Sequence, residues 1–419
     1  MEGDRFDVLV VGSGPAGSIA ALVLARGGAR VALVDKAAFP RDKACGDLIG
    51  PRGVRLLDDL GVELPAAERV DDMVVVGPAG RRVHLPCDEG RTYPGYALAL
   101  PRSCFDHALH TAAVEAGAEP VVARAADPLR SDGDELEGFV LSDGRRVRAG
   151  VIVGADGATS RVAAAAGLVD PARVLWGFAV RAYVDDPVRV PHIVLWEEER
   201  WRCFPGYGWL FPGVDGRANL GLGLGLLADR SAGNRATKVF DAFTSDLRRM
   251  QVLTGPPSSV SPSLGGWLKM GMMGTVPARG RVLLAGDAAG LVNPLQGEGI
   301  SQAMGSARAA AEAILAGPAQ AAASYRAFLA STYAPYQSVT APVHAALLPR
   351  PRLVAATGRL LTAPVDSRGV AGGWSIFWND LLDGAAPGPA RRLAAVAHAV
   401  GRTATSAGRT RRWFSQNVA

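Results

Sequence analysis

Gly12-Ser13-Gly14-Pro15-Ala16-Gly17 stands between a short apolar run, residues 7–11, and a segment of helical character over 15–26. A second apolar run follows at 30–34 and ends on Asp35 and Lys36. This is the pattern of a βαβ unit with a glycine-rich first turn. Gly12 permits the tight turn, Gly14 lets the backbone approach a pyrophosphate, and Gly17 allows close helix–strand packing. The phosphates of a dinucleotide would sit at the positive end of the helix, and Asp35 is spaced to bond a ribose hydroxyl. Glycine turns are common, and this one gains weight from the strand before it, the helix after it and the acid beyond.

Two further segments have the same logic. The first, 151–161, carries Asp156-Gly157, and the second, 283–290, carries Gly286-Asp287. Each reads as a buried strand delivering an Asp and small residues to its carboxyl end, where open α/β sheets bind ligands. The second continues through Asn293-Pro294-Leu295-Gln296-Gly297-Glu298-Gly299-Ile300 into an alanine-rich helix, whose first amides would stabilise negative charge on a bound ring. Tyr207, Trp209 and Phe211 alternate at strand period, which puts three rings on one face. Trp176, in a neighbouring predicted strand, is grouped with them as the wall of an apolar cavity, although such rings also serve simply as sheet core. Other chemistries find less support. The six His are scattered, and His107 and His110 fit a helix surface, so no metal site is expected. No GxSxG elbow follows a strand, which argues against a serine hydrolase.

The glycine fingerprint, Asp156-Gly157 and Gly286-Asp287, in this order and spacing, resemble the para-hydroxybenzoate-hydroxylase-like flavoproteins. Three details make the chain similar to the geranylgeranyl reductase family within them: Pro40-Arg41-Asp42-Lys43-Ala44-Cys45-Gly46-Asp47, Tyr207-Gly208-Trp209-Leu210-Phe211-Pro212, and the 293–300 stretch. The match covers most of residues 5–330. It implies FAD as cofactor, with Gly12, Gly14, Pro15, Ala16, Gly17, Asp35 and Lys36 at the ADP part and Ala125 close by. It further implies Ala44, Cys45, Gly46 and Arg102 along the pyrophosphate and isoalloxazine. Asp287 would meet the ribityl-phosphate region, Asp156, Gly157 and Gly286 would also contact the cofactor, and Gly297, Gly299 and Ile300 would lie under the ring. Arg102 suits phosphate oxygens with its planar fork, the alternative being a surface arginine capping the next helix. Cys45 would stand beside the ring, where a thiol could protonate or position an alkene; otherwise it is inert core. The aromatic motif lines a prenyl tunnel in the family.

The elements that must position these groups form an α/β chain. A Rossmann-type FAD-binding domain is expected over 1–72, 98–165 and 275–330, with an inserted β-sheet-rich substrate domain over 73–97 and 166–274. Strands are expected at 174–184, 192–195, 209–211 and 219–224, and a hairpin at 71–85 around Gly77-Pro78-Ala79-Gly80. Residues 331–419 read as a C-terminal helical cap. With 48% hydrophobic residues the chain folds, and a net charge of +5 without a basic–aromatic run argues against nucleic acid. Cys45, Cys87, Cys104 and Cys203 show no pairing pattern, and neither a leader nor a membrane-spanning run of about 18 apolar residues is read, so the expected location is cytoplasmic. Only one nucleotide fingerprint is present, so the reductant would be transient NAD(P)H or an external electron carrier.

The expected activity is reduction of C=C bonds in a prenyl chain or another hydrophobic substrate. The alternatives are a monooxygenase tailoring a hydrophobic secondary metabolite and a non-redox FAD-containing cyclase. A halogenase is disfavoured by Tyr-Gly-Trp-Leu-Phe-Pro in place of Trp-x-Trp-x-Ile-Pro. Arg409-Thr410-Arg411-Arg412-Trp413-Phe414 combines Arg with interfacial aromatics, which suits a peripheral membrane contact, the other reading being a solvated basic tail. The contact predicts that deleting 405–419 lowers recovery in liposome flotation, and equal recovery assigns the segment to solvent.

Overall fold

Leucine and β-branched residues fill 8–11, 31–34 and 151–153 almost without interruption, and such strands are stable only when covered on both faces. In the computed structural model they lie side by side in an eight-stranded sheet. Along its main path the strands run Ala278–Arg279, Val282–Leu284, Arg146–Gly154, Asp4–Val11, Val31–Asp35 and Glu119–Val122. All neighbours from Val282–Leu284 onward are parallel. An antiparallel ribbon, Ala125–Arg130 with Leu136–Leu141, branches from the Arg146–Gly154 strand. The structure describes residues 4–347 except 78–79, 87–93, 196–205, 228–232 and 256–259, and beyond them only 350, 352, 353, 356 and 399. Most of the C-terminal cap, including the basic–aromatic segment, thus lies outside the described residues, as do Cys87, Cys203 and Trp196, another aromatic expected in a strand of the substrate domain.

The helices Pro15–Arg26, Arg102–Glu115 and Ile300–Ala316 cover this sheet with Ile19, Leu22, Phe105, Leu109, Met304 and Ile314. Alanines along the first and third let those two pack closely. The tightest approach is at the glycine turn. A Cβ on Gly17 would lie 1.7 Å from the Gly12 carbonyl oxygen, and one on Gly12, whose φ is +96°, would lie 2.4 Å from the Ala155 oxygen.

A second, seven-stranded sheet has the order Leu264–Met270, Leu175–Asp185, Arg217–Leu227, Gly206–Pro212, His192–Val194, Asp72–Val76 and Arg82–Pro86. Asp72–Val76 and Arg82–Pro86 are the two arms of the hairpin around Gly77–Gly80. Its outer face is closed by the helix Gly233–Arg249, whose Phe240, Phe243 and Leu247 pack on Val180, Ala182, Leu210, Leu220 and Leu222. The expectation for this region was a β-sheet-rich domain with no helix specified. The three apolar residues at helical spacing are set among polar ones and bury only one stripe. Leu48–Ile49, Ala97–Ala99 and Glu68–Val70 form a third, small sheet. Among the described residues no helix is long and apolar enough to cross a membrane.

Gly17→Ala must displace main chain rather than a side chain. It is expected to cost about 3 kcal/mol or more, at the upper end of overpacking penalties, read as a lowered urea midpoint; an unchanged midpoint contradicts the packing described.

Candidate functional site

The helix Pro15–Arg26 starts at Gly14, with Pro15 in its first turn and no side chain capping it, so its leading amides are left for a ligand. Among the described residues the only atom within 4 Å of a Cβ built on Gly14 is Arg41 Nη2, at 3.6 Å. Asp35 braces the turn: its Oδ2 accepts from Ser13 N at 2.7 Å and its Oδ1 from Ala37 N at 3.0 Å. Each oxygen keeps lone-pair capacity for a ribose hydroxyl. Lys36 is exposed. Ala125 begins its strand just after Ala123, whose N–H donates to Asp35 O at 2.8 Å.

His110 corrects an expectation. Instead of lying on the helix surface it is half-buried, with Nδ1 2.7 Å from Ser13 Oγ and its ring stacked on Phe39 at 4.5 Å. Its position on the Arg102–Glu115 helix turns it toward the phosphate loop, and burial lowers its pKa. Arg102 also departs from the expected role. Its fork is closed on Asp106, Nε to Oδ1 at 2.7 Å and Nη2 to Oδ2 at 2.8 Å, because four residues of helix bring the two side by side. Asp106 also accepts from Arg41 Nη1 at 3.0 Å. The guanidinium placed over the phosphate loop is therefore that of Arg41.

Asp156 caps a short helix, accepting from Ser160 Oγ at 2.5 Å and Arg161 N at 2.6 Å, while Gly157 is open, with φ +82° and nothing within 4 Å of a built Cβ. Gly286 N donates to Ser306 Oγ, and Asp287 Oδ1 lies 3.6 Å from a built Gly299 Cβ at the start of the Ile300–Ala316 helix. Gly297 has φ +68° in the turn fixed by Asn293, whose Oδ1 accepts from Leu295 N, Gln296 N and Tyr336 Oη. Between these loops Lys269 is buried and faces both Asp156 and Asp287. Desolvation lowers its pKa to about 8 against the pull of the two acids.

The Ala44–Asp47 segment is pressed onto the second sheet. A built Cβ on Gly266 would lie 3.1 Å from Ala44 Cβ, and one on Gly46 would lie 2.9 Å from the Phe211 ring. Cys45 is half-buried. Burial raises its thiol pKa, opposed by the adjacent Arg102 guanidinium. Asp47 is buried in the left-handed region at φ 61°. Its Oδ2 accepts from Tyr183 Oη at 2.6 Å and Asn219 Nδ2 at 2.8 Å; burial still raises its pKa to about 6. The same Asn219 Nδ2 donates to Cys45 O at 2.8 Å, and its Oδ1 accepts from Trp209 Nε1 at 2.9 Å.

Tyr207, Trp209 and Phe211 do share a face, their centroids 6.2 and 6.1 Å apart along the strand. Tyr207 Oη donates to Gln296 O, which ties this face to the Gly297 turn. Directly across stand Gly223, Gly221 and Asn219. Trp176 does not belong to this wall. Pairing in register puts it an odd number of residues from Arg181, the partner of Gly221, so it faces the other way and packs on Ala158, Val174 and Trp267. Tyr183, Asn219, Arg41 and Lys269 were missed by sequence reasoning. Tyr183, Asn219 and Lys269 sit within strands, where the only signal was an inward-facing position, and Arg41 lies in the loop after the second strand.

The residues present fit FAD. Open glycines at 14 and 157 leave backbone for close approach, the Pro15–Arg26 helix starts on amides that no side chain caps, and Arg41 and Lys269 supply positive charge at the two ends. Comparisons with known proteins agree. Residues 5–194 match the FAD binding domain model. The chain is 36% identical to menaquinone reductase of Mycolicibacterium smegmatis over 322 residues, 75% of this chain and 77% of that one. It is 34% identical to digeranylgeranylglycerophospholipid reductase 2 of Methanopyrus kandleri over 74% of this chain and 76% of that one. The solved structure of a geranylgeranyl bacteriochlorophyll reductase-like protein from Thermoplasma acidophilum superposes with a TM-score of 0.63 at 21% identity, covering 96% of this chain and 99% of that chain. A flavin-dependent brominase superposes with a TM-score of 0.66 at 18% identity, over 96% of this chain and 98% of that chain, which shows the shared fold alone.

A carboxyl whose folded pKa is raised holds its proton longer in the native state, so it subtracts stability as pH climbs from its unfolded value near 3.8 to about 6, and the loss is constant above. Asp47→Asn removes that ionisation and tolerates the left-handed backbone. The variant is expected to gain on the wild type by about 2–3 kcal/mol between pH 4 and 7, seen as a widening difference in urea midpoint. A difference that does not vary with pH contradicts the assignment.

Proposed function

Since the chain belongs to the geranylgeranyl reductase family of FAD-dependent oxidoreductases, we propose that it saturates carbon–carbon double bonds in the prenyl chain of a lipid or quinone. The observation that carries this reading is the face formed by Tyr207, Trp209 and Phe211 with Gly221 and Gly223, set against the Ala44–Asp47 segment. Rings and bare backbone offer an apolar surface with few polar anchors, which suits a hydrocarbon held by buried area. The similar proteins point the same way: menaquinone, digeranylgeranylglycerophospholipid and geranylgeranyl diphosphate, named for three of them, have a polyprenyl chain in common.

In this reading the Gly12–Gly17 turn and Arg41 hold the pyrophosphate, Asp35 the ribose, and the Gly299–Ile300 amides the pyrimidine edge of the ring. Bound FAD, once reduced by NAD(P)H or an external carrier, supplies a hydride. An isolated alkene accepts hydride poorly unless the other carbon is protonated, so the chain must hold an acid there. Cys45 is that group. Burial keeps its thiol protonated, and the neighbouring Arg102 stabilises the thiolate left behind. Trp209 and Phe211 keep water away from this point. Contact with a membrane surface would deliver a substrate of this kind.

Two measurements test the reading. Anaerobic incubation of the reduced holoenzyme with geranylgeranyl diphosphate or menaquinone is expected to give products heavier by two hydrogens per bond saturated. Substrate-stimulated oxygen uptake with an oxygenated product would instead establish a monooxygenase. Cys45→Ala is expected to keep bound FAD, by its visible absorption, while turnover falls about 100-fold or more, the scale of general-acid catalysis; unchanged turnover removes the thiol from the mechanism.

A further inference from the structure

A thiol that gives its proton to carbon must be recharged before the next bond is reduced, and the groups around Cys45 limit where that proton comes from. Arg102 faces the sulfur but is permanently charged and locked on Asp106. Tyr207 also faces the thiol, and Glu298 stands next to Tyr207. The Tyr207 hydroxyl is spent on Gln296 O, and the Glu298 carboxyl is bonded by Ser301 N at 2.8 Å at the head of the Ile300–Ala316 helix. The remaining neighbour is Asp47. Its main-chain N–H is directed at the Cys45 sulfur and its charge acts on the thiol. Asn219 fixes the pair by donating from one nitrogen to both Cys45 O and Asp47 Oδ2, and Trp209 Nε1 settles which end of that amide is the oxygen.

Behind Asp47 a line of polar groups leads outward. Tyr183 Oη reaches Asp47 Oδ2 at 2.6 Å, and Tyr183 is itself half-buried between two guanidinium groups, Arg181 at 4.4 Å and Arg217 at 5.6 Å from its ring. Arg181 is held in turn by Asp42, whose carboxylate is open to solvent. A buried carboxyl two residues from a thiol, tied to that residue's backbone through Asn219 and bonded to a hydroxyl near the surface, has the placement of a proton relay.

We propose that Tyr183 and Asp47 form the inlet through which solvent protons recharge Cys45, entering from the sheet side. The inference rests on the reductase reading. In each cycle the Cys45 S–H bond breaks and a C–H bond forms, the sulfur keeping the electron pair. The hydride on the neighbouring carbon comes from the reduced cofactor. The thiolate then takes the Asp47 carboxyl proton, and Asp47 takes that of Tyr183 as Tyr183 accepts one from water. One hydride and one solvent proton are consumed per bond. Tyr183 and Asp47 touch no reacting carbon, so they are positioning and relay residues.

A first turnover uses the proton already on Cys45, whereas later ones need the inlet. In rapid-quench experiments with pre-reduced holoenzyme, Tyr183→Phe is expected to make its first saturation within about 2-fold of the wild type and to lose about 10-fold or more in steady state, within the range of general-acid effects. Equal slowing of both phases, or of neither, overturns the inlet. A second arm needs no prenyl substrate: the pH dependence of Cys45 alkylation by iodoacetamide, in protein with Cys87, Cys104 and Cys203 changed to Ser. Asp47→Asn removes a nearby negative charge and is expected to move the alkylation midpoint down by about one pH unit. An unmoved midpoint overturns the coupling. A moved midpoint in an enzyme that saturates no prenyl chain supports the coupling and counts against the reductase reading alone.

Discussion

The side-chain amide of Asn219 joins the two halves of the molecule at the point where chemistry is proposed. It belongs to the second sheet, yet both of its nitrogen's bonds go to the segment that leaves the first. A buried hydrogen bond contributes about 0.5–1.5 kcal/mol net, and a partner left unsatisfied costs about 1–3 kcal/mol. Loss of this amide would strand the Cys45 carbonyl and the Trp209 indole at once and take one of its donors from the Asp47 carboxyl. The left-handed turn at Asp47, the height of Cys45 above the sheet and the tilt of the Trp209 ring therefore stand or fall together.

Charge is arranged around this anchor by sealing some groups and leaving others available. Arg102, buried and paired with Asp106, acts on Cys45 as a fixed positive field and has no fork to offer a ligand. Arg41 leans on the same Asp106 from outside and keeps one nitrogen over the phosphate loop. One carboxylate thus orients two cations with different tasks. Lys269 repeats the theme at the far end, where burial and two acids pull its charge in opposite directions.

The βαβ unit was legible because its signals are local: a buried strand reads as an apolar run, a phosphate turn as glycine, and the helix Pro15–Arg26 begins and ends where its sequence indicates. Most strands of the second sheet were legible for the same reason, with Leu175–Asp185 and Arg217–Leu227 each lying within a few residues of expectation, whereas Leu264–Met270 was not expected as a strand. What failed was relative. Trp176 and Trp209 both look like cavity aromatics, and only the register between three strands reveals that they face apart. Arg102 looked like a phosphate ligand because the fork is visible in sequence, whereas its pairing with Asp106 depends on the helix that brings the two together. Asp47, Tyr183 and Asn219 are far apart in the chain, so their meeting is a property of the packing between sheets.

The bare strand opposite the aromatic triplet has a consequence for how this scaffold diverges. Gly221 is obligatory, since a methyl there would fall 2.1 Å from the Trp209 ring, whereas a methyl at Gly223 would meet nothing nearer than Cζ3 of the same ring at 3.8 Å. The fold imposes no demand on the second position. If this face holds the prenyl chain as proposed, a single added carbon at Gly223 would narrow it without disturbing the sheet beneath, and the length or branching of the hydrocarbon accepted would be open to selection one methyl at a time. The same strand therefore carries both a residue the architecture cannot change and a gauge it can reset.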